Sequence, residues 1–187
     1  MSKGIKAIIV VVVLTIIFVV WAIGNYNRAV RLDEQVEARW AQIENQLQRR
    51  YDLIPNLVET VKGYATHERE LFENIAKMRT LYFQSKSVGD KIKASKGLES
   101  VLSRLLLLKE SYPQLKANQS FLKLQDSLEG TENRIAVERK RYNDSVRAVN
   151  TYKRTFFGRI FTAWAGVEEA EYYEPPEERK ELPKVEF

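Results

Sequence analysis

Cysteine is absent from this chain of 187 residues. That absence removes disulfides, thiolate metal sites, lipid attachment through cysteine and cysteine nucleophiles together. It leaves the compartment open, because a helical bundle of this size needs no covalent staple. Glycine and proline are scarce, at eight and five residues, and Leu, Glu, Lys, Arg and Val abound, which favours helix over sheet. Histidine is reduced to His67, beside Glu68 where a helix should start, so there is no Glu-x-x-His or His-Glu-x-x-His spacing. No Gly-rich phosphate loop and no Gly-x-Ser-x-Gly occurs. Asp52, Glu59, Glu129 and Glu132 offer carboxylates without a partner base. The reading is therefore no catalytic residue, no cofactor, no metal site and no small-molecule substrate.

One long hydrophobic run is present, AIIVVVVLTIIFVVWAI from Ala7 to Ile23. Its roughly 17 residues span about 25 Å, and Ile5 with snorkelling Lys3 and Lys6 extends it to a membrane thickness. Ala7, Val13 and Phe18 lie inside the run, and Trp21 and Tyr26 sit where interfacial aromatics belong. A cleaved signal peptide is the competing reading, since Ala22-Ile23-Gly24 is loosely a small-x-small site. The length of the run and the bulky Trp21 favour a retained single-pass anchor. Lys3 and Lys6 on one flank nearly balance Arg28 and Arg31 on the other, so the basic residues do not choose a side of the membrane.

After the anchor the chain reads as helix throughout. Val36, Trp40, Ile43, Leu47, Ile54, Leu57/Val58 and Val61 fall at alternating steps of three and four, the seam of a packed helix. Pro55 predicts a kink or break. A second helix follows near Thr66 with Leu71, Ile75, Met78 and Leu81/Tyr82 inward; SKSVGD (85–90) is a loop; a third helix runs to Pro113. The fourth covers about 117–154, with Phe121, Leu124, Leu128, Thr131, Ile135, Glu138, Tyr142, Val146, Val149 and Phe156 on its seam. Short loops between long helices predict antiparallel neighbours.

Two long stretches, WAQIENQLQRRYDLIPNLVETVKGYATHE (40–68) and LEGTENRIAVERKRYN (128–143), closely resemble the two signatures of the bacterial LemA proteins. The resemblance extends from Tyr26 to the terminus. It implies a membrane-anchored helical bundle in the bacterial cell membrane, with the N-terminus outside and the bundle in the cytoplasm, and it brings no catalytic residue set. The expected fold is all-α, an N-terminal transmembrane helix followed by an elongated antiparallel four-helix bundle. The expected divisions are an anchor (1–25), a bundle (26–155), an aromatic and basic segment (156–167) and an acidic, disordered tail (168–187).

Polar residues interrupt both signature seams. A buried charge persists only when paired, so Arg49 or Arg50 is expected to meet Glu132 or Glu138 across the bundle; the plainer reading rotates these residues to the surface. The run Glu138-Arg139-Lys140-Arg141 lacks a nucleic-acid-reading motif and reads as a solvated face, leaving nucleic acid a disfavoured partner. In FFGRIFTAWAGV (156–167), Phe157, Arg159, Phe161 and Trp164 alternate as in a helix lying in the headgroup layer, or else cap the bundle core. Val185 and Phe187 suit strand addition with carboxylate capture, as in PDZ recognition, or belong to an uninvolved end. These features predict a non-enzymatic structural or adaptor protein at the membrane, acting through self-association or an envelope protein partner. The alternative is a module that binds anionic lipid through its basic faces, consistent with a net charge of +5. The anchor has no Gly-xxx-Gly, so a homo-oligomer would form through the bundle.

Overall fold

The computed structural model describes residues 3–174. Among them the chain is all-α: helices α1 (Lys3–Lys62), α2 (Arg69–Gln84), α3 (Val88–Ser111), α4 (Pro113–Lys116), α5 (Gln119–Arg154) and α6 (Phe156–Trp164), with no strand. The expected boundary near residue 25 is not a structural break, because α1 runs through it. Nor does Pro55 end this helix. Pro55 faces solvent between buried Ile54 and Leu57, and packing of both flanks holds the helix through it.

The other boundaries follow from capping. No side chain caps α2, which starts at Arg69 rather than near Thr66. The loop expected over 85–90 is shorter, because the Ser87 hydroxyl accepts the Asp90 N–H and starts α3 at Val88. Asn118 starts α5 by accepting the Phe121 N–H at 2.9 Å, and its amide donates to the Tyr64 hydroxyl at 2.9 Å.

The chain divides into two compact units. One combines the chain up to Trp40 with Tyr142–Ala170; the other combines Ala41–Arg141 with the described residues from Glu171 onward. In the second, α1, α2, α3 and α5 form a four-helix bundle in which sequential neighbours run antiparallel. Tyr51 meets Tyr82 while Lys62 lies over Phe72, Lys109 donates to Gln125, and Arg50 pairs with Glu132. The predicted seam is buried at Ile43, Leu47, Ile54, Leu57 and Val61, and Leu98, Leu105, Phe121 and Ile135 close the core from α3 and α5. Helices α2 and α3 approach so closely that a Cβ on Gly97 would stand 2.9 Å from Met78 Sδ.

The first unit pairs the N-terminal part of α1 with the end of α5 and with α6. Trp40 packs on Tyr142, and Tyr152 donates to the Asn25 carbonyl at 3.0 Å, again antiparallel. Ala29, Tyr152 and Phe161 form its small core. Phe156 does not continue the α5 seam: Thr155 caps a new helix by accepting the Gly158 N–H at 3.0 Å, and Phe156 is 75% exposed. After α6 the chain is clamped by Asn150, whose amide donates to the Ala170 carbonyl at 2.9 Å and accepts the Ala170 N–H at 3.1 Å.

The acidic tail expected from residue 168 is corrected in its first part. Residues 168–174 carry no helix, yet Tyr173 is 1% exposed and shares a 2.7 Å hydrogen bond with Ser95. An aromatic ring in an otherwise acidic stretch gains enough from burial to hold the segment down.

Candidate functional site

Two arrangements stand out, one in each unit. The first is an aromatic platform. Ala7, Val13 and Phe18 are exposed along the apolar part of α1, the segment long and apolar enough to cross a membrane, none of it buried. Trp21 meets Phe157 edge-on at 5.0 Å and Phe161 at 5.6 Å, and Tyr26 meets Trp164 at 5.9 Å. Each such pair contributes about 0.5–1.5 kcal/mol beyond its buried area. Phe161 is buried, whereas Phe157, Arg159 and Ile160 are exposed and Trp164 is 72% exposed. Together Phe18, Ile23, Tyr26, Ile160 and Trp164 line an open apolar groove of about 620 Å³.

Gly158 makes this seat possible. A Cβ there would collide with the Tyr152 carbonyl oxygen, so only glycine lets α6 turn this tightly off the end of α5. The Thr162 hydroxyl, fully buried, donates back to the Gly158 carbonyl at 2.8 Å and leaves the inner face without an unpaired hydroxyl.

The second arrangement is an ionic layer inside the bundle. Arg50, 5% exposed, forms a salt bridge with Glu132. Arg139, 8% exposed, lies 3.7 Å from the other oxygen of Glu132, and its guanidinium sits 5.3 Å over the Tyr173 ring. Burial pushes the Arg50 guanidinium down from its ordinary value, while the neighbouring Glu99, Tyr173 and Tyr51 pull it back up. An arginine nonetheless stays charged. Burial likewise raises the phenols of Tyr51, Tyr82 and Tyr173. Among the described residues the Tyr51 hydroxyl, Arg50 Nε and Arg139 Nη1 are buried without a hydrogen-bond partner.

Of the four residues considered for interhelical pairing, the fold brings together Arg50 and Glu132. Arg49 is exposed. Glu138 is engaged by Arg141 one turn along the same helix, at 2.6 Å. Arg139 and Tyr173 escape sequence reasoning because each sits in a charged stretch that reads as solvated. The available signal for Arg139 was its place four residues after Ile135, on the seam's edge. Val185 and Phe187 lie outside the described residues. Among the described residues no three His, Asp or Glu side chains converge as a metal site. The layer's charges are turned on one another.

An all-α chain with an apolar, membrane-crossing type of N-terminal helix and a charged layer within its bundle is, by class, a membrane-associated helical-bundle protein. This one belongs to the LemA family, whose model matches residues 39–187 and so takes in both signature stretches. The chain is similar to magnetosome proteins MamQ 2 and MamQ 1 of Paramagnetospirillum magneticum, each 24% identical over 197 residues, covering 91% of this chain and 72% of the relative. It is also similar to magnetosome protein MamQ of Magnetospirillum gryphiswaldense, 24% identical over 178 residues, covering 80% of this chain and 65% of that protein.

Proposed function

We propose that this protein is a single-pass membrane-anchored, non-enzymatic scaffold or adaptor that works by self-association or by binding an envelope protein. The observation that carries the reading is the aromatic platform. Phe157, Ile160 and Trp164 stay exposed beside an exposed apolar helix, an arrangement costly in water and favourable at a bilayer surface. Helix α6 then lies in the headgroup layer with Arg159 reaching to lipid phosphates, and the first unit becomes a membrane-apposed foot. The relatives' designation as magnetosome proteins supports a role at a membrane.

The test is depth. With Trp21 and Trp40 changed to Phe, Trp164 remains the sole tryptophan, and vesicles with lipids brominated at graded positions report where it lies. Quenching strongest from bromines near the headgroups is expected; no quenching at any depth removes the interfacial foot. Counting photobleaching steps of labelled chains in vesicles separates the two modes of action. More than one chain per assembly supports self-association, and single chains leave partner binding.

A second reading, anionic-lipid binding through basic faces, is favoured by exposed Arg134 and Lys140 on α5. Binding that ignores lipid charge and salt would sink it.

A further inference from the structure

Arg28 follows the apolar run of α1, about 7.5 Å beyond Ile23 along the helix axis. That distance brings a long side chain into the headgroup layer. Its guanidinium stacks on the Tyr152 ring, 4.9 Å from the centroid, and among the described residues no carboxylate pairs with it. Tyr152 is itself held by its hydrogen bond to the Asn25 carbonyl, so Arg28 has a fixed platform. Between Arg28 and Arg147 opens a cleft of about 560 Å³, with Asn25, Thr151 and Thr155 in its wall and Phe156 and Phe157 at its edge. Asp144 also lines it and lies 3.8 Å from Arg147. Two guanidinium groups against one carboxylate leave the cleft a single net positive charge.

The two halves of this cleft ask for different chemistry. Guanidinium groups beside the Thr151 hydroxyl suit a phosphate oxygen, whereas the Thr155 hydroxyl is already donated to the Tyr152 carbonyl at 2.8 Å. The exposed rings of Phe156 and Phe157 suit hydrocarbon, and Phe157 stacks edge-on against Trp21 of the apolar run. A free anion has no use for that rim, whereas a phospholipid presents both groups in this order with depth.

We propose that the Arg28–Arg147 cleft binds the phosphodiester headgroup of an anionic phospholipid, with Phe156 and Phe157 against its first acyl carbons. The inference rests on reading α1 as a membrane anchor. It is independent of self-association, and it names a discrete site where the basic-face reading names only a charged surface.

The full chain, purified in mild detergent, is exchanged through mixed micelles holding equal phosphatidylglycerol and phosphatidylcholine, and the retained lipid is read by native mass spectrometry. The intact chain is expected to retain one phosphatidylglycerol with a preference of roughly fivefold over phosphatidylcholine. Arg28→Gln/Arg147→Gln should bring that preference to parity. Arg31→Gln/Arg39→Gln, which removes the same charge from exposed positions outside the cleft, should keep it, and so should the charge-preserving Arg28→Lys/Arg147→Lys. Equal retention of the two lipids by the intact chain overturns the proposal without recourse to any variant. An unchanged preference after Arg28→Gln/Arg147→Gln overturns it too, as does loss of the preference in both Gln pairs alike. Inorganic phosphate is added at matched ionic strength to separate the sources: no displacement supports the lipid, and stoichiometric displacement assigns the cleft to free phosphate instead. Failure of the foot shows as unquenched Trp164 with lipid preference intact, so the two ideas fall separately.

Discussion

Helix α1 meets two different environments along its length. Near Ala29 its neighbours are Tyr152 and Phe161, carbon against carbon, and the polar groups present are satisfied: Tyr152 by Asn25, Thr162 by Gly158. Near Arg50 it meets Glu132, with Arg139 and Tyr173 close behind, and polar atoms of Arg50, Tyr51 and Arg139 are buried without hydrogen bonds. The first environment should tolerate a change in charge and resist a change in shape. The second should do the reverse. An ionic layer adds little net stability, because desolvating each charge offsets its attraction, but it penalises every register in which the charges do not meet.

The comparison is broken most sharply at Glu132. Glu132→Leu strands Arg50 and Arg139 beside each other in the bundle, and is expected to destabilise the full chain in micelles by about 3 kcal/mol in chemical unfolding. Replacing the whole layer together with the buried Glu99 beside Arg50, as Arg50→Met/Glu99→Met/Glu132→Leu/Arg139→Met, should recover most of that loss, since a well-packed apolar layer needs no pairing. A quadruple variant as unstable as the single one would mean that the layer stabilises the fold outright.

In the aromatic unit the corresponding weak point is shape. Gly158→Ala adds one methyl group against the Tyr152 carbonyl and must displace the start of α6. A loss of about 2 kcal/mol is expected, read as a lower thermal midpoint. The same variant should weaken the bromolipid quenching of Trp164, which an equally destabilising change in the ionic layer should leave alone.

Much of this architecture was legible from residue spacing. The apolar run was legible as a helix long and apolar enough to cross a membrane, and it lies unburied in the fold. The three-four steps from Val36 to Val61 mark the seam, because a helix presents one face to its neighbours whatever those neighbours are. Arg50 was legible as a conflict, a charge where the seam expects a hydrophobe, and Glu132 as one of two available answers. Other pairings between distant segments, where neither residue stood out as a conflict, were not legible. Arg28 stacking on Tyr152 and Tyr173 docking on Ser95 join positions far apart in the chain, and the local composition around each suggested solvent. The break allowed for at Pro55 does not occur, for a related reason: the local cost of proline is outweighed by tertiary packing on both sides of it.

A smaller effect sharpens the comparison at the docked end of the chain. Tyr173→Phe removes the hydrogen bond to Ser95 and keeps the ring against Arg139. Ser95 still donates to the Ile92 carbonyl at 2.9 Å, so its hydroxyl keeps a partner, and the expected cost is about 1 kcal/mol. Proteolysis after residue 167 should quicken by the corresponding factor, roughly fivefold; no change would mean that the ring alone holds the segment.

The least change at neutral pH is expected from Tyr51→Phe, and it separates the two environments by pH. The Tyr51 hydroxyl is buried without a hydrogen-bond partner, so deleting it should leave stability unchanged or raise it by up to about 1 kcal/mol. Its phenol is held neutral first by burial and then by the neighbouring Tyr82 and Tyr173; burial is also the leading cause at those two residues. Below about pH 10 these phenols are protonated in both folded and unfolded chains, and stability does not depend on them. Above it the unfolded chain loses their protons first, so stability falls with rising pH by about 1.4 kcal/mol per pH unit for each tyrosine until its folded value is reached. Urea unfolding of the full chain between pH 9 and 11 should therefore steepen above pH 10, and Tyr51→Phe should remove about one tyrosine's share of that slope. A slope unchanged by Tyr51→Phe would show that this hydroxyl reaches water in the folded chain, and that the polar layer is wetter than its geometry implies.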